Sequence, residues 1–168
     1  IEILAKKGNP EKYDLPKPIL NKGGCNLSFA GLKTAVLKIT KNIKTDQEKF
    51  DLAASFQSTI EKILYKKTKT AFNQYEKINN LKNKRFVVAG GVAANRKIRT
   101  MLKKLCEENN YQSLFPPIEL CGDNAAMIAM VGLEKYKLQK FNSLDHPAIP
   151  RWPLDEQAVF LKGAGVKL

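Results

Sequence analysis

The chain has 168 residues, 29 Lys and Arg against 16 Asp and Glu, a formal net charge of +13 and a single His. A chain of this length supports one α/β domain with a core of its own, burying roughly 68–70% of its unfolded surface. No apolar run approaches the ~20 residues that cross a bilayer, no basic-then-apolar leader opens the chain, and Cys25, Cys106 and Cys121 form no CxxC pair, which argues against a membrane span, a secretory leader, a disulfide framework and a structural zinc site. A reducing compartment, the cytoplasm or an organelle matrix, is the expected setting. The basic excess fits an RNA partner, because cations on the protein release counterions from phosphates. Only four of the 29 basic residues are Arg, however (Arg85, Arg96, Arg99 and Arg151), and abundant Lys, Asn and Ile are equally what an AT-rich genome encodes. Both explanations stand.

Residues 1–24 read as a short amphipathic segment followed by loop, punctuated by Pro10, Pro16, Pro18, Gly23 and Gly24. Ile1 in place of Met, and the lack of a strand that could start a sheet, lead us to expect a chain that opens inside a larger protein. After Ser28-Phe29-Ala30-Gly31-Leu32-Lys33-Thr34, the spacing of Leu32, Ala35, Val36, Ile39 and Ile43 predicts a first helix. From Asp46 a 3.6-residue period runs through Phe50, Ala53, Ala54, Phe56, Ile60, Ile63, Leu64, Ala71, Phe72, Tyr75 and Ile78, predicting a helix of about eight turns capped by Thr45 or Asp46. Its lysines, Lys62, Lys66, Lys67 and Lys69, read as a solvated face.

Arg85–Ala89 is the clearest strand, apolar on both faces and therefore expected to be central and parallel. A helix over Ala93–Glu108 follows, with Ile98, Met101, Leu102 and Leu105 inward and Asn109-Asn110 ending it. Ser113–Phe115 is a second strand stopped by Pro116-Pro117, and Asn124–Lys140 a further helix with Ile128, Val131, Leu133 and Tyr136 inward. Strand, helix, strand, helix implies a βαβ unit. The tail from Phe141 reads as loop, including His146-Pro147 and Arg151-Trp152-Pro153-Leu154. There is no internal repeat and no low-complexity tract.

Two junctions could carry chemistry. Gly90-Gly91 falls where a strand ends, the edge of an α/β sheet at which ligands bind, and glycines there permit positive φ and close approach to backbone N–H groups. Such a pair is also a common tight turn with no ligand. Asn95, just inside the following helix, can donate and accept with one amide, as a ribose or phosphate requires. At the second junction Asp123 is either an ordinary helix N-cap or a hard oxygen ligand for a divalent metal, and a single ligand makes no metal site. Cys121 reads as a small buried residue rather than a nucleophile, His146 as a surface residue, and the roles of Ser28 and Lys33 are open. The two polar helix starts are expected to face one cleft.

Ser28–Thr34, Val88-Ala89-Gly90-Gly91-Val92-Ala93-Ala94-Asn95-Arg96, Cys121-Gly122-Asp123-Asn124-Ala125-Ala126-Met127-Ile128-Ala129 and Arg151–Leu154 together resemble the C-terminal half of the TsaD family, tRNA threonylcarbamoyladenosine transferases formerly called glycoprotease or O-sialoglycoprotein endopeptidase. The resemblance implies the C-terminal lobe of the two-lobed ASKHA fold of actin, Hsp70 and sugar kinases: an inter-lobe segment over 1–24, the lobe itself over 25–154, a tail over 155–168, and an N-terminal lobe outside this chain. It implies that Gly90, Gly91 and Asn95 bind the adenylate of threonylcarbamoyl-adenylate. It further implies that Asp123 ligates one divalent metal, Fe or Zn, together with two His of an HxxxH helix in the missing lobe. The acceptor would be N6 of the adenosine 3′ of the tRNA anticodon, and the partner proteins an inert paralogue and an ATPase of the same pathway. This half alone would be inactive. Gly122 where the family commonly has Thr, and Ala30 in place of a common Ser, are departures. A metal-dependent peptidase, as the older name says, and a non-catalytic ASKHA-type binding module are the alternatives. The former needs a base beside a metal-activated water, and this half supplies no evident one: Glu119 is near Asp123 in sequence but lies on the far side of Cys121 and reads equally as a surface residue.

Overall fold

The elements run α1 (Glu2–Ala5), α2 (Ala30–Thr40), α3 (Asp46–Ile78), β1 (Arg85–Val87), a 3-10 turn over Gly91–Ala94, α4 (Arg96–Glu108), β2 (Gln112–Leu114), a second 3-10 turn over Ile118–Leu120, and α5 (Ala125–Lys137). They come from a computed structural model that describes residues 1–78 and 83–149. The result is a mixed α/β arrangement of long helices with a small parallel sheet.

The long apolar period does form one helix, α3, of 33 residues. Its start is a capping box: Thr45 Oγ1 accepts from the Glu48 N–H at 3.2 Å while Glu48 Oε2 accepts from Thr45 N–H at 3.0 Å and Lys44 N–H at 2.8 Å. Thr45 rather than Asp46 is therefore the cap. Two apolar clusters form along α3. Its second half packs Phe72 with Ile98, Leu102 and Leu105 of α4, and Phe72 stacks on Tyr111 at 3.9 Å between ring centroids. Its first half packs Leu52 and Ile63 with Leu32 of α2 and with Leu15 of the N-terminal segment.

Among the described residues the buried polar ones are all on α3: Asp51, Ser55, Gln57, Thr59 and Lys67. A buried polar group needs a hydrogen bond, and here irregular backbone supplies several. Asp51 Oδ1 accepts from the Asn9 N–H at 2.8 Å and from Gln47 Nε2 at 2.8 Å. The Ser55 hydroxyl accepts from the Tyr13 N–H at 3.1 Å and donates to the Asn9 carbonyl at 3.3 Å. Just before these contacts, Gly8 runs so close to α3 that a Cβ there would overlap the Phe50 carbonyl. Lys67, expected to be solvated, is instead buried and donates to the carbonyls of Lys22 at 2.8 Å and Gly24 at 3.0 Å. Loop carbonyls that the helix must cover need a donor, and a long Lys stem reaches them.

β1 and β2 pair in parallel with Arg85 opposite Gln112, Phe86 opposite Ser113 and Val87 opposite Leu114. With α4 between them they make the expected βαβ unit. β1 is not central, however. The described sheet has two strands, and Val87 is exposed while Phe86 and Val88 pack on the core. β2 lies one residue earlier than expected. The predicted helix over Ala93–Glu108 is in fact a 3-10 turn and an α-helix separated by Asn95, whose extended backbone (φ −66°, ψ 115°) interrupts the helical run.

Because the strands are parallel, both junctions leave the same edge of the sheet, and Arg99 of α4 ties them together. Its Nε donates to the Ala93 carbonyl at 3.0 Å, its Nη2 donates to the Pro116 carbonyl at 3.0 Å and to Cys121 Sγ at 3.2 Å, and its guanidinium lies 4.8 Å from the Phe115 ring centroid. Cys121 is buried, as expected of a small packing residue.

Ile1–Asp123 is one compact unit and a second starts at Asn124. The Asn124 side chain accepts from the Met127 N–H at 3.1 Å and so caps α5. None of α5 is buried, including Ile128, Val131, Leu133 and Tyr136, which were expected to face inward. A single amphipathic helix has nothing of its own to bury against. Arg151–Leu154 lie outside the described residues.

Two outcomes follow from these bonds. The Asn9 N–H, and next the Gln47 amide, hold the Asp51 carboxyl below its ordinary value. A lowered folded-state pKa contributes stability above the unfolded value of about 3.9 and loses it as pH falls through the folded value. Asp51→Asn is thus expected to be the less stable protein in urea at pH 7, with the gap closing below about pH 4. Arg99→Ala, which strands two carbonyls, is expected to cost about 2–3 kcal/mol. It should also accelerate amide hydrogen exchange at Leu120 and Cys121 ahead of α3.

Candidate active site

Gly90 adopts φ 87° and ψ 170°, a region that side chains avoid, so the turn requires glycine there on backbone grounds. Gly91 is different. Its φ is not positive, and a Cβ built on it meets no atom within 4 Å. Neither the backbone nor the packing of this chain requires a glycine at 91.

What Gly91 faces is a cavity of about 510 Å³, whose wall also includes Phe29, Lys33, Phe56, Gln57, Ile60 and Asn95. The α2 start and the β1–α4 junction, distant in sequence, meet here. The wall is apolar except for Lys33, Gln57 and Asn95, which suits a flat heteroaromatic group with a charged end. Ser28, Gly90 and Asp123 are not among its lining residues.

Asn95 is the N-cap of α4. Its Oδ1 accepts from the N–H groups of Lys97 at 3.1 Å and Ile98 at 3.0 Å, and its Nδ2 donates to Gln57 Oε1 at 2.9 Å. The expectation that this amide could both donate and accept toward a ligand is therefore corrected: its acceptor capacity is spent on the helix, and one N–H remains. Gln57 fixes which way that N–H points. Sequence reasoning passed over Gln57, although a signal existed, since it lies on the apolar stripe of α3 between Ala53, Ala54 and Ile60, where a polar residue needs a partner. Arg99 was likewise missed, because no local pattern distinguishes it from a solvated cation.

Asp123 is exposed, and with Asn124 capping α5 the N-cap explanation for Asp123 falls away. Its carboxylate is a hard oxygen ligand, but the described residues contain no group of three His, Cys, Asp or Glu able to hold a metal ion. The described chain does not make a metal centre by itself. Glu119 is exposed in the second 3-10 turn. His146 lies in the loop beyond α5. Among the described residues no helix is long and apolar enough to cross a membrane.

The model of the TsaD family, described as tRNA N6-adenosine threonylcarbamoyltransferase, matches residues 1–130. A protein of that name from Pelagibacter ubique (strain HTCC1062) is 70% identical over 168 residues, all of this chain and 47% of its own length. One from Rickettsia rickettsii (strain Sheila Smith) is 48% identical over 159 residues, 93% of this chain and 46% of its own. A third, from Rickettsia bellii (strain OSU 85-389), is 46% identical over 158 residues, again 93% and 46%. The chain spans about half the length of the curated relatives it matches. With both cavity-lining motifs inside the matched span, this chain belongs to the TsaD family of tRNA N6-adenosine threonylcarbamoyltransferases.

Proposed function

We propose that this chain is the C-terminal lobe of an ASKHA-type acyltransferase that moves a threonylcarbamoyl group from threonylcarbamoyl-adenylate to N6 of the adenosine 3′ of the tRNA anticodon, and that the cavity beside Gly91 is the adenylate wall. The observation that carries the assignment is Gly91: it lines the cavity and has no intramolecular reason to lack a side chain. A ligand pressed against backbone supplies that reason. Family membership supports the reaction class.

In the transfer, the N6–carbonyl bond forms, the bond from that carbonyl to the phosphate oxygen breaks, and AMP leaves with the electron pair while N6 gives up a proton. The chain's own part is binding and orientation. Phe29, Phe56 and Ile60 offer apolar surface to the base, Lys33 a cation to the phosphate, and Asn95 its one free N–H to a ribose or phosphate oxygen. Asp123 contributes one oxygen ligand to a divalent metal, Fe or Zn, whose remaining ligands come from two His outside this chain. This lobe alone is then inactive. A cytoplasmic setting, with an inert paralogue and an ATPase as partners, completes the reading.

The test uses the intact protein. Wild type should release AMP only when both tRNA and threonylcarbamoyl-adenylate are present. Gly91→Leu, at a position where a Cβ meets no atom within 4 Å, should weaken donor binding by tenfold or more in calorimetric titration while unfolding within about 0.5 kcal/mol of wild type. Unchanged donor affinity would remove the cavity from the site. Asp123→Ala should lower the metal content of the purified protein by elemental analysis, and undiminished content would refute its role as a ligand.

A further inference from the structure

A second concavity, of about 680 Å³, lies between α1 and α4 over α3, and it adjoins the first because Gln57 lines both. Four cations edge it, Lys6, Arg96, Lys97 and Lys104, against two acids, Glu2 and Glu61. Two of those cations, Arg96 and Lys97, occupy the first turn of α4, which contains no acid. Glu2 Oε1 already accepts from the Arg96 N–H at 3.2 Å and Lys97 Nζ lies 3.7 Å from Glu61, but among the described residues no ion pair engages Lys6, Arg96 or Lys104, so the groove keeps a positive edge beside the positive end of the α4 dipole, where an anion is favoured.

Glu61 adds a second peculiarity. Its Oε1 is buried and has no hydrogen-bond partner among the described residues, the nearest cation being Lys97 Nζ at 3.7 Å. The terminal torsion of a Glu side chain is soft, so a modest turn presents that oxygen to a donor in the groove. An acidic peptide would satisfy the cations and be repelled by Glu61. RNA satisfies both, with phosphates for the cations and 2′-hydroxyl or base amino donors for the carboxylate.

We infer that this groove is the RNA-binding track that delivers the acceptor strand to the adenylate cavity, with phosphates on Lys6, Arg96 and Lys104 and a ribose hydroxyl or base amine donating to Glu61. The inference rests on the transferase reading for the identity of the RNA as tRNA. Its position also fits that reading, since a strand in the groove passes the shared wall at Gln57 and so brings a nucleotide beside the donor.

The experiment titrates the intact protein, without donor, against an anticodon stem-loop RNA and its all-deoxy counterpart over a range of salt. Lys6→Ala/Lys104→Ala should weaken RNA binding about tenfold and reduce the steepness of log K against log salt by about 1–2, as expected for two lost phosphate contacts. Lys38→Ala/Lys41→Ala removes the same charge from the C-terminal end of α2 and the residue after it, and an equal effect from it would overturn the groove assignment. Glu61→Leu should shrink the preference for RNA over DNA several-fold, and Glu61→Gln should restore part of it. A preference unchanged in Glu61→Leu, or an acidic peptide that displaces the RNA from wild type but not from Lys6→Ala/Lys104→Ala, would sink the proposal. Donor-dependent AMP release by wild type is scored separately, so failure of the transferase reading leaves the binding result to be judged alone.

Discussion

A polar side chain sealed from water must find a hydrogen bond, and in this chain that constraint is concentrated on one helix. Among the described residues α3 carries all five of the buried polar ones, and four of them hold segments that have little regular structure to hold themselves: Asp51 and Ser55 take the backbone at Asn9 and Tyr13, Lys67 takes the 22–24 loop, and Gln57 takes Asn95. Apolar packing gives α3 its position, but hydrogen bonds decide where the loops run. An unmet buried partner costs more than a met one contributes. The loops are therefore placed with a specificity that apolar contact alone would not supply.

The candidate site inherits its geometry from that arrangement. Gln57 orients the Asn95 amide, Asn95 starts α4, and Arg99, one turn into α4, ties the chain leaving β1 to the chain leaving β2. Three side chains thus connect the spine helix to both strand exits. The same chain of contacts anchors the 3-10 turn beside the Gly91 cavity at its C-terminal end, through the Ala93 carbonyl and through Asn95.

The long helix was legible from sequence because its apolar period persists for eight turns, and both strands were located to within a residue or two because prolines and glycines bound them. The break at Asn95 was not legible. Asn, Arg and Lys after two alanines extend a helical pattern, and only the Gln57 partner shows that the amide caps a new helix. Asp123 and Asn124 are adjacent residues that both cap helices well, and sequence cannot choose between them; the geometry assigns the cap to Asn124 and releases Asp123. For α5 the periodicity identified the element, but an apolar stripe does not name the surface it will cover. Sequence treats Gly90 and Gly91 as one pair, equally a tight turn or a ligand site; only the backbone separates them, requiring glycine at 90 and leaving room for a Cβ at 91.

The clamp at Arg99 has a chemical corollary in its third partner. Cys121 Sγ is buried beneath the guanidinium and within 3.5 Å of the Pro117 carbonyl, Cys106 is sealed in the core with burial pushing its thiol up, and Cys25 is exposed. The three thiols are thus a built-in stopwatch: alkylating reagents reach Cys25 at once, reach Cys121 only in moments when the β2 exit detaches from α4, and reach Cys106 only when the core itself opens.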